Sequence, residues 1–369
     1  MSPGKKDSDK NSPARIAWRR FRKNPLAMCG LAFITLLALI SFLGPFIRPD
    51  KTVNANDQNL LLARQKPGFS VDVIRTRNNV ERTGFFRAWL NGGSNKLFDE
   101  LPVTSVQLIG DSLSAELYSP NNTPGEKKKF SLKELEANDD GQYVFRKKFL
   151  LGSDKYGRDM LSRLMAGSVI SLSVGAIAVL ISLLVGLTLG LLAGYYRGWV
   201  DAIIMWFTNV VWAIPTLLLV MAITFAFGTG FWKVFLAVGL TMWVEVARIA
   251  RGQVLSVREK EYVEAARALG LGETRIIFRH ILPNILSPII VISAANFASA
   301  ILIEAGLSFL GLGAQIPTPS WGNMIREHYA FITTDLAYLA IVPGALIMLL
   351  VLSFMMVGNG LRDALDVRQ

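Results

Sequence analysis

Six stretches of this chain are apolar over lengths close to that of a membrane span, and few folds can accommodate them. They run at about 26–47, 168–193, 202–227, 231–250, 285–310 and 337–357. About 20 apolar residues in a helix cross a hydrocarbon layer of ~30 Å. Half of all residues are hydrophobic, 51%. The pattern predicts an all-α polytopic membrane protein with six transmembrane helices.

The formal net charge of +11 raises the question of a nucleic-acid partner. The placement of the charge answers it. Clustered Lys and Arg flank the apolar runs, as cytoplasmic anchors do, so the bilayer is the expected partner and nucleic acid is not. Cys29 is the single cysteine and sits in an apolar run. It allows neither an intrachain disulfide nor a thiolate metal cluster. His280 and His328 fall in different segments, so no metal site is read. The first apolar run begins too far from Met1, without a small-residue cleavage site, to read as a cleaved signal peptide.

Residues 1–25 form a basic N-terminal arm, polar and expected to be disordered over 1–14. Residues 15–25 are amphipathic, with Ile16, Trp18 and Phe21 for the membrane interface and Arg15, Arg19, Arg20, Arg22 and Lys23 for anionic head groups. A docking surface for a cytosolic protein is the alternative. Gly44-Pro45 ends the first span. Residues 48–166 form an insert, read as a small α+β unit outside the membrane. Strand-like pieces lie at 69–74, 103–109 and 143–150, and a helix opens with a Ser131/Glu134 capping box. In the second span Gly186, Gly190 and Gly194 share one helix face and read as a packing seam rather than a pore lining. Pro215 predicts a kink in the third span.

Charge counting sets the topology. Six spans put both termini on one side. That side holds eighteen Lys or Arg in the arm, the Arg197 turn, the loop 248–280 and the tail, against Lys233 and Arg326 in the two short loops opposite. The richer side is cytoplasmic. The insert is too long for its charge to count.

No phosphate-binding loop GxxxxGK[ST] occurs, so ATP is not expected on this chain, nor is any other cofactor. HExxH, GxSxG and CxxC are absent as well. The chain is not expected to be an enzyme. Three acidic residues lie in or near spans: Glu245, Glu304 and Asp335. An ionisable group in a membrane is a functional candidate. Glu245 lies three residues before Arg248, and the two can neutralise each other on one face. Glu304 and Asn296 are the candidate pathway-lining residues. Glu304 and Asp335 also support a rival reading, an ion-driven carrier. A sensory or scaffold protein that binds ligands through its insert is a second rival.

The most informative stretch joins the fourth and fifth runs, at 251–283. Residues 262–269 are strong helix formers, and Ala265 and Ala266 are small enough to sit in a groove. Glu264 offers a carboxylate, Gly270 can end the helix in a left-handed turn, and Pro283 restarts the chain into the next span. A polar helix tethered between two spans is well placed to dock on a soluble partner.

The spacing Glu264-Ala265-Ala266, Gly270, Ile281-Leu282-Pro283 resembles the EAA loop of membrane subunits of ATP-binding-cassette (ABC) importers. Residues 151–167, LGSDKYGRDMLSRLMAG, and 306–323, GLSFLGLGAQIPTPSWGN, resemble segments of the dipeptide/oligopeptide/nickel permease family. Trp18, Phe21, Asn24-Pro25 and Gly30 also fit, and the closer match is the C-type subunit of a heterodimeric pair. The resemblance covers about 1–48 and 150–369. The insert, at about 118 residues, departs from the family by its length.

The resemblance implies a type I importer fold in a bacterial inner membrane. It also implies a second homologous permease subunit, two ATPases that carry ATP and Mg, and a substrate-binding protein. The cargo would be di- or oligopeptides, with nickel or another small solute as the alternative. Coupling to the ATPases would fall on Glu264, Ala265, Ala266, Gly270 and Pro283. Arg248, Arg251 and Arg267 are candidate partners for ATPase acidic groups.

Overall fold

The computed structural model describes residues 13–120, 123–138, 141–228 and 230–366. The arm expected to be disordered lies outside the described residues up to position 12. The chain begins with α1 (Pro13–Phe21) and α2 (Pro25–Ile47). It continues through β1 (Phe69–Arg77), α3 (Phe85–Leu90), β2 (Phe98–Ile109), β3 (Ser112–Leu117), β4 (Lys127–Ser131) and β5 (Val144–Phe149). Then come α4 (Met160–Tyr196), α5 (Gly198–Trp212), α6 (Thr216–Phe227), α7 (Phe231–Arg258), α8 (Glu261–Ala268) and α9 (Glu273–Ile276). A π-helical turn, Ile277–Ile281, leads into α10 (Leu282–Phe309), and α11 (Trp321–His328) and α12 (Tyr338–Leu365) complete the chain.

The helices overrun the apolar stretches that predicted them. α4 starts eight residues before 168, and α7 runs on from Ala250 to Arg258. Among the described residues, four helical stretches are long and apolar enough to cross a membrane: α2, α4, Glu273–Phe309 and α12. The pair α5 and α6 would make a fifth, but it bends by 93°. The bend falls at Ala213–Pro215, where the kink was expected. The expected count of six therefore needs α7. Its 28 residues reach far enough, but Lys233, Glu245, Arg248, Arg251 and Arg258 interrupt its apolar character.

The chain forms two compact units. The first takes the residues up to Leu37, Ser171–Gln315, and Gly344 onward. Its seam is the glycine row of α4. A Cβ on Gly186 or Gly190 would stand 2.6 Å from the Trp243 or Ala247 carbonyl oxygen of α7, and one on Gly194 would stand 2.7 Å from Val254 Cβ. Without those side chains the two backbones come into direct contact. Phe297 of α10 stacks on Phe354 of α12 at 3.9 Å. Phe21, expected at the lipid interface, is buried against Ala27 and Ala364. Ile16 and Trp18 remain exposed on α1.

The second unit takes Ala38–Ile170 and Ile316–Pro343. Its centre is a five-stranded antiparallel sheet in the order β4-β3-β2-β1-β5. Val73 of β1 pairs with Pro102 of β2 and Phe145 of β5. One apolar cluster gathers Ile74, Val103, Leu113, Ala115 and Leu135, and another gathers Leu62, Val71, Val73 and Phe149. The capping box expected at Ser131 does not form. Leu132–Glu134 is a single 3-10 turn, and the Ser131 side chain makes no cap bond.

Candidate functional site

α8 has eight residues, too short to be stable alone in water. Burial holds it in place. Val263 and Ala266, three positions apart, are 0% and 4% exposed. They join Leu191 and Tyr195 of α4, Val254 of α7, and Ile276, Ile277, Ile281 and Ile285 in one core. Full burial of a valine contributes about 1.5–3 kcal/mol, more than the roughly 1 kcal/mol a single exposed polar contact supplies. The small-residue motif therefore divides. Ala266 faces inward and ties the helix to its own chain. Glu264, Ala265 and Arg267 face outward.

The end of α8 is fixed as tightly as its middle. Gly270 has φ +72°, and its N–H donates to Arg267 O at 2.8 Å. Leu271 N–H donates to Ala266 O at 3.2 Å. Two such bonds closing over a left-handed residue form a Schellman end, which a Cβ would strain. Among the described residues, and apart from its two chain neighbours, nothing lies within 4 Å of where a Gly270 Cβ would stand. Leu269 beside it is 80% exposed. Pro283 stands in the first turn of α10. Proline cannot donate to the carbonyl four residues back and crowds it, and the wider π turn immediately precedes it.

The three candidate arginines have different settings. Arg251 makes a two-pronged bond to Asp201, Nε to Oδ1 at 2.5 Å and Nη2 to Oδ2 at 2.6 Å. Arg248 does not pair with Glu245. Its Nη2 donates to Asn209 Oδ1 at 2.5 Å, and its guanidinium lies 4.0 Å over the Trp212 ring. Both are engaged by α5, which the sequence could not bring alongside α7. Arg267 is exposed, with its guanidinium 5.5 Å from the Tyr195 ring.

Four partners escaped the sequence reading: Tyr195, Arg197, Asp201 and Glu259. Arg197 sits at φ +57° before Gly198 and donates Nη2 to Glu259 Oε1 at 2.5 Å. That bond and the arginine's charge hold the Glu259 carboxyl below its ordinary range. Arg258 donates to the Tyr195 carbonyl oxygen. Gly198 was the available signal, as a residue that takes positive φ at no cost, whereas nothing in the residue type of Arg197 announces its own positive φ.

Asn296 and Glu304, the candidate pathway residues, are buried inside their unit. Glu304 is 1% exposed and accepts the Ser308 hydroxyl at 2.6 Å. Asp335 sits in an exposed loop, 3.3 Å from Lys66 Nζ, so the ion-carrier reading loses its second carboxylate.

Residues 151–167 and 316–328 meet in the second unit. Gly152 and Gly157 have φ +73° and +74°, and a Cβ on Gly157 would stand 1.8 Å from Asn59 O. Asp154 Oδ1 accepts from the N–H groups of Tyr156 and Arg158. Arg158, 1% exposed, donates to Asp154 at 2.5 Å and to Glu327 at 2.7 Å. The Trp321 indole donates to Leu164 O at 3.0 Å. The sequence gives His328 no second ligand. The fold brings Asp154, Glu327 and His328 within 4.8 Å of one another. The Arg158 guanidinium already supplies the positive charge between the two carboxylates.

Comparison with known proteins is consistent over most of the chain. The family model described as "Binding-protein-dependent transport system inner membrane component" matches residues 186–369. "N-terminal TM domain of oligopeptide transport permease C" matches residues 12–67. The dipeptide transport system permease protein DppC of Alkalihalophilus pseudofirmus is 45% identical over 215 residues, 58% of this chain and 70% of that protein. The glutathione transport system permease protein GsiD of Pectobacterium atrosepticum is 44% identical over 216 residues, 58% and 71% of the two chains. A chain of the MetNI methionine ABC transporter aligns with a TM-score of 0.48 at 17% identity, over 56% of this chain and 98% of that one.

Proposed function

This chain belongs to the family of binding-protein-dependent transport system inner membrane components, and from that premise we propose how it works in a peptide importer. It is a multi-pass permease subunit of an ABC importer, without catalytic chemistry of its own. The family implies ATPase and substrate-binding partners.

In the proposed arrangement two ATPases, carrying ATP and Mg, lie on the cytoplasmic side. A second homologous permease supplies the other half of the pathway, and this chain holds no cofactor. Six spans, with α7 as the fourth and the bent α5–α6 pair as the third, leave both termini cytoplasmic and the sheet outside. The positive-inside count supports that orientation. The cargo is di- or oligopeptides. The relatives are permeases of dipeptide and glutathione transport systems, which favours peptides over nickel.

The reading rests on one observation. α8 buries Val263 and Ala266 in its own chain and turns Glu264, Ala265, Arg267 and Leu269 outward. A short helix so anchored, with an exposed leucine at its end, suits a cleft on another protein. Force applied there would pass through the shared core to α4, α7 and α10, because packed cores transmit displacement rather than absorb it. Arg251 and Arg248 then brace α5 against α7. Cysteine cross-linking in the purified complex tests the contact. Ala265→Cys should couple to a cysteine in the ATPase cleft, and coupling should vary with nucleotide. Ala266→Cys should couple poorly. Equal coupling at both positions would contradict the assignment.

A further inference from the structure

Glu245 stands mid-way along α7, fourteen residues from its start and thirteen from its end, about 20 Å from either by helical rise. A carboxylate at that depth is costly unless it meets water or a partner. It makes no salt bridge to Arg248, one turn away, because Arg248 is held by Asn209 and Trp212. Instead both residues line one cavity of about 600 Å³, together with Trp212, Thr241 and Ser299. Arg248 Nε is buried with no hydrogen-bond partner among the described residues. The cavity thus offers one carboxylate and one guanidinium that do not neutralise each other.

We infer that this cavity is a transit site for the charged termini of a short peptide, an inference that rests on the peptide-importer reading above. Glu245 receives the ammonium group, and Arg248 the terminal carboxylate. The two positions differ by about 4.5 Å along the helix axis, and an extended dipeptide spans at most about 7 Å. Two side chains on adjacent turns can bracket that length. The Trp212 ring lies 4.0 Å from the guanidinium and Asn209 holds its Nη2, so the side chain is already ordered and Nη1 is left for a carboxylate without a large ordering cost. A membrane-depth site of this kind would replace part of the hydration that a zwitterion loses on leaving its binding protein. It also separates the roles of the two carboxylates. Glu245 serves cargo, whereas Glu304 stays inside the helix packing.

The test uses the whole importer in proteoliposomes with its binding protein. The probes are Ala-Ala and N-propionyl-Ala, a molecule of nearly the same size without the amino group, each at a concentration that saturates the binding protein. The wild-type complex should carry Ala-Ala at least tenfold faster. Glu245→Gln, which keeps the shape, should reduce Ala-Ala uptake at least tenfold, leave N-propionyl-Ala uptake unchanged and leave ATPase stimulation within twofold. Glu245→Asp should recover most of the rate. If the wild type carries Ala-Ala but Glu245→Gln carries it equally well, or slows both probes equally, the transit site is overturned and the importer reading stands. If the wild type carries neither Ala-Ala nor longer peptides, the peptide reading fails and this inference falls with it.

Discussion

Arg251 grips Asp201 with two parallel hydrogen bonds of 2.5 and 2.6 Å, joining α7 to α5 at the point where the helices leave the apolar region. Both side chains are partly exposed, so solvent weakens the attraction, but the fork geometry keeps it directional. α7 leads directly into α8, so this pair fixes the base of the candidate coupling element. A double-mutant cycle in detergent micelles should give a coupling energy of about 1 kcal/mol between Arg251→Ala and Asp201→Ala. Simple additivity of the two losses would show that the pair carries no stability.

The glycine row of α4 gives a sharper steric prediction. A Cβ at Gly190 would meet backbone and Ala250 Cβ at 2.6 Å, and backbone cannot swing aside. Gly190→Val should cost about 2–3 kcal/mol, in the range of overpacking, and should lower the melting temperature measured in detergent. Gly252→Ala on α7 would place its Cβ in open space among the described residues outside its own stretch of helix. It should be neutral or stabilising by up to about 1 kcal/mol, through helix propensity.

The sheet unit should lose stability on both acid and alkaline sides. Burial pushes the Asp57 carboxyl up, but Lys147 and Lys96 outweigh it and hold it below its usual value. Burial likewise pushes the Lys147 ammonium down, and Glu100 and Asp57 outweigh it and raise it. A depressed carboxyl stabilises fully above its unfolded pKa, about 4, and loses that contribution as pH falls further. A raised ammonium stabilises fully below about 10.4 and loses its contribution as pH rises beyond. Melting of the full chain across pH should show both limbs. Asp57→Asn should flatten the acid limb below about pH 5 while leaving a lower plateau at neutrality.

Much of this architecture was legible from residue types alone. Apolar runs announced the helices, Pro215 the break between α5 and α6, and the spacing of Gly186, Gly190 and Gly194 the seam. Gly270 announced the end of α8. Pairings between residues far apart in sequence were not legible. Asp201 lies 50 positions from Arg251, and no local pattern distinguishes it from Glu245, which lies one turn from Arg248 and does not pair with it. β4, KKKFS, was missed because three consecutive lysines leave no alternation to read, whereas β3, SLSAEL, alternates polar and apolar residues and was legible but passed over as too short. Ser131 failed as a cap because no α-helix follows it, only the single 3-10 turn Leu132–Glu134. The inward face of Ala266 and outward face of Ala265 depend on which side of α8 meets Tyr195 and Ile281, which only the packed structure shows.

The central claim, that α8 passes motion between this chain and an ATPase, is tested most directly by two substitutions on its outward surface. A Cβ at Gly270 has open space around it among the described residues beyond its chain neighbours, so the cost of Gly270→Asp within the subunit is mainly that of the left-handed backbone, about 1–2 kcal/mol. Glu264→Lys changes an exposed side chain. Both subunits should therefore insert and fold. The decisive measurement is ATPase activity of the reconstituted complex with and without peptide-loaded binding protein. The account predicts loss of stimulation and of uptake in both variants, with each subunit still present and folded. Full stimulation in both would contradict it.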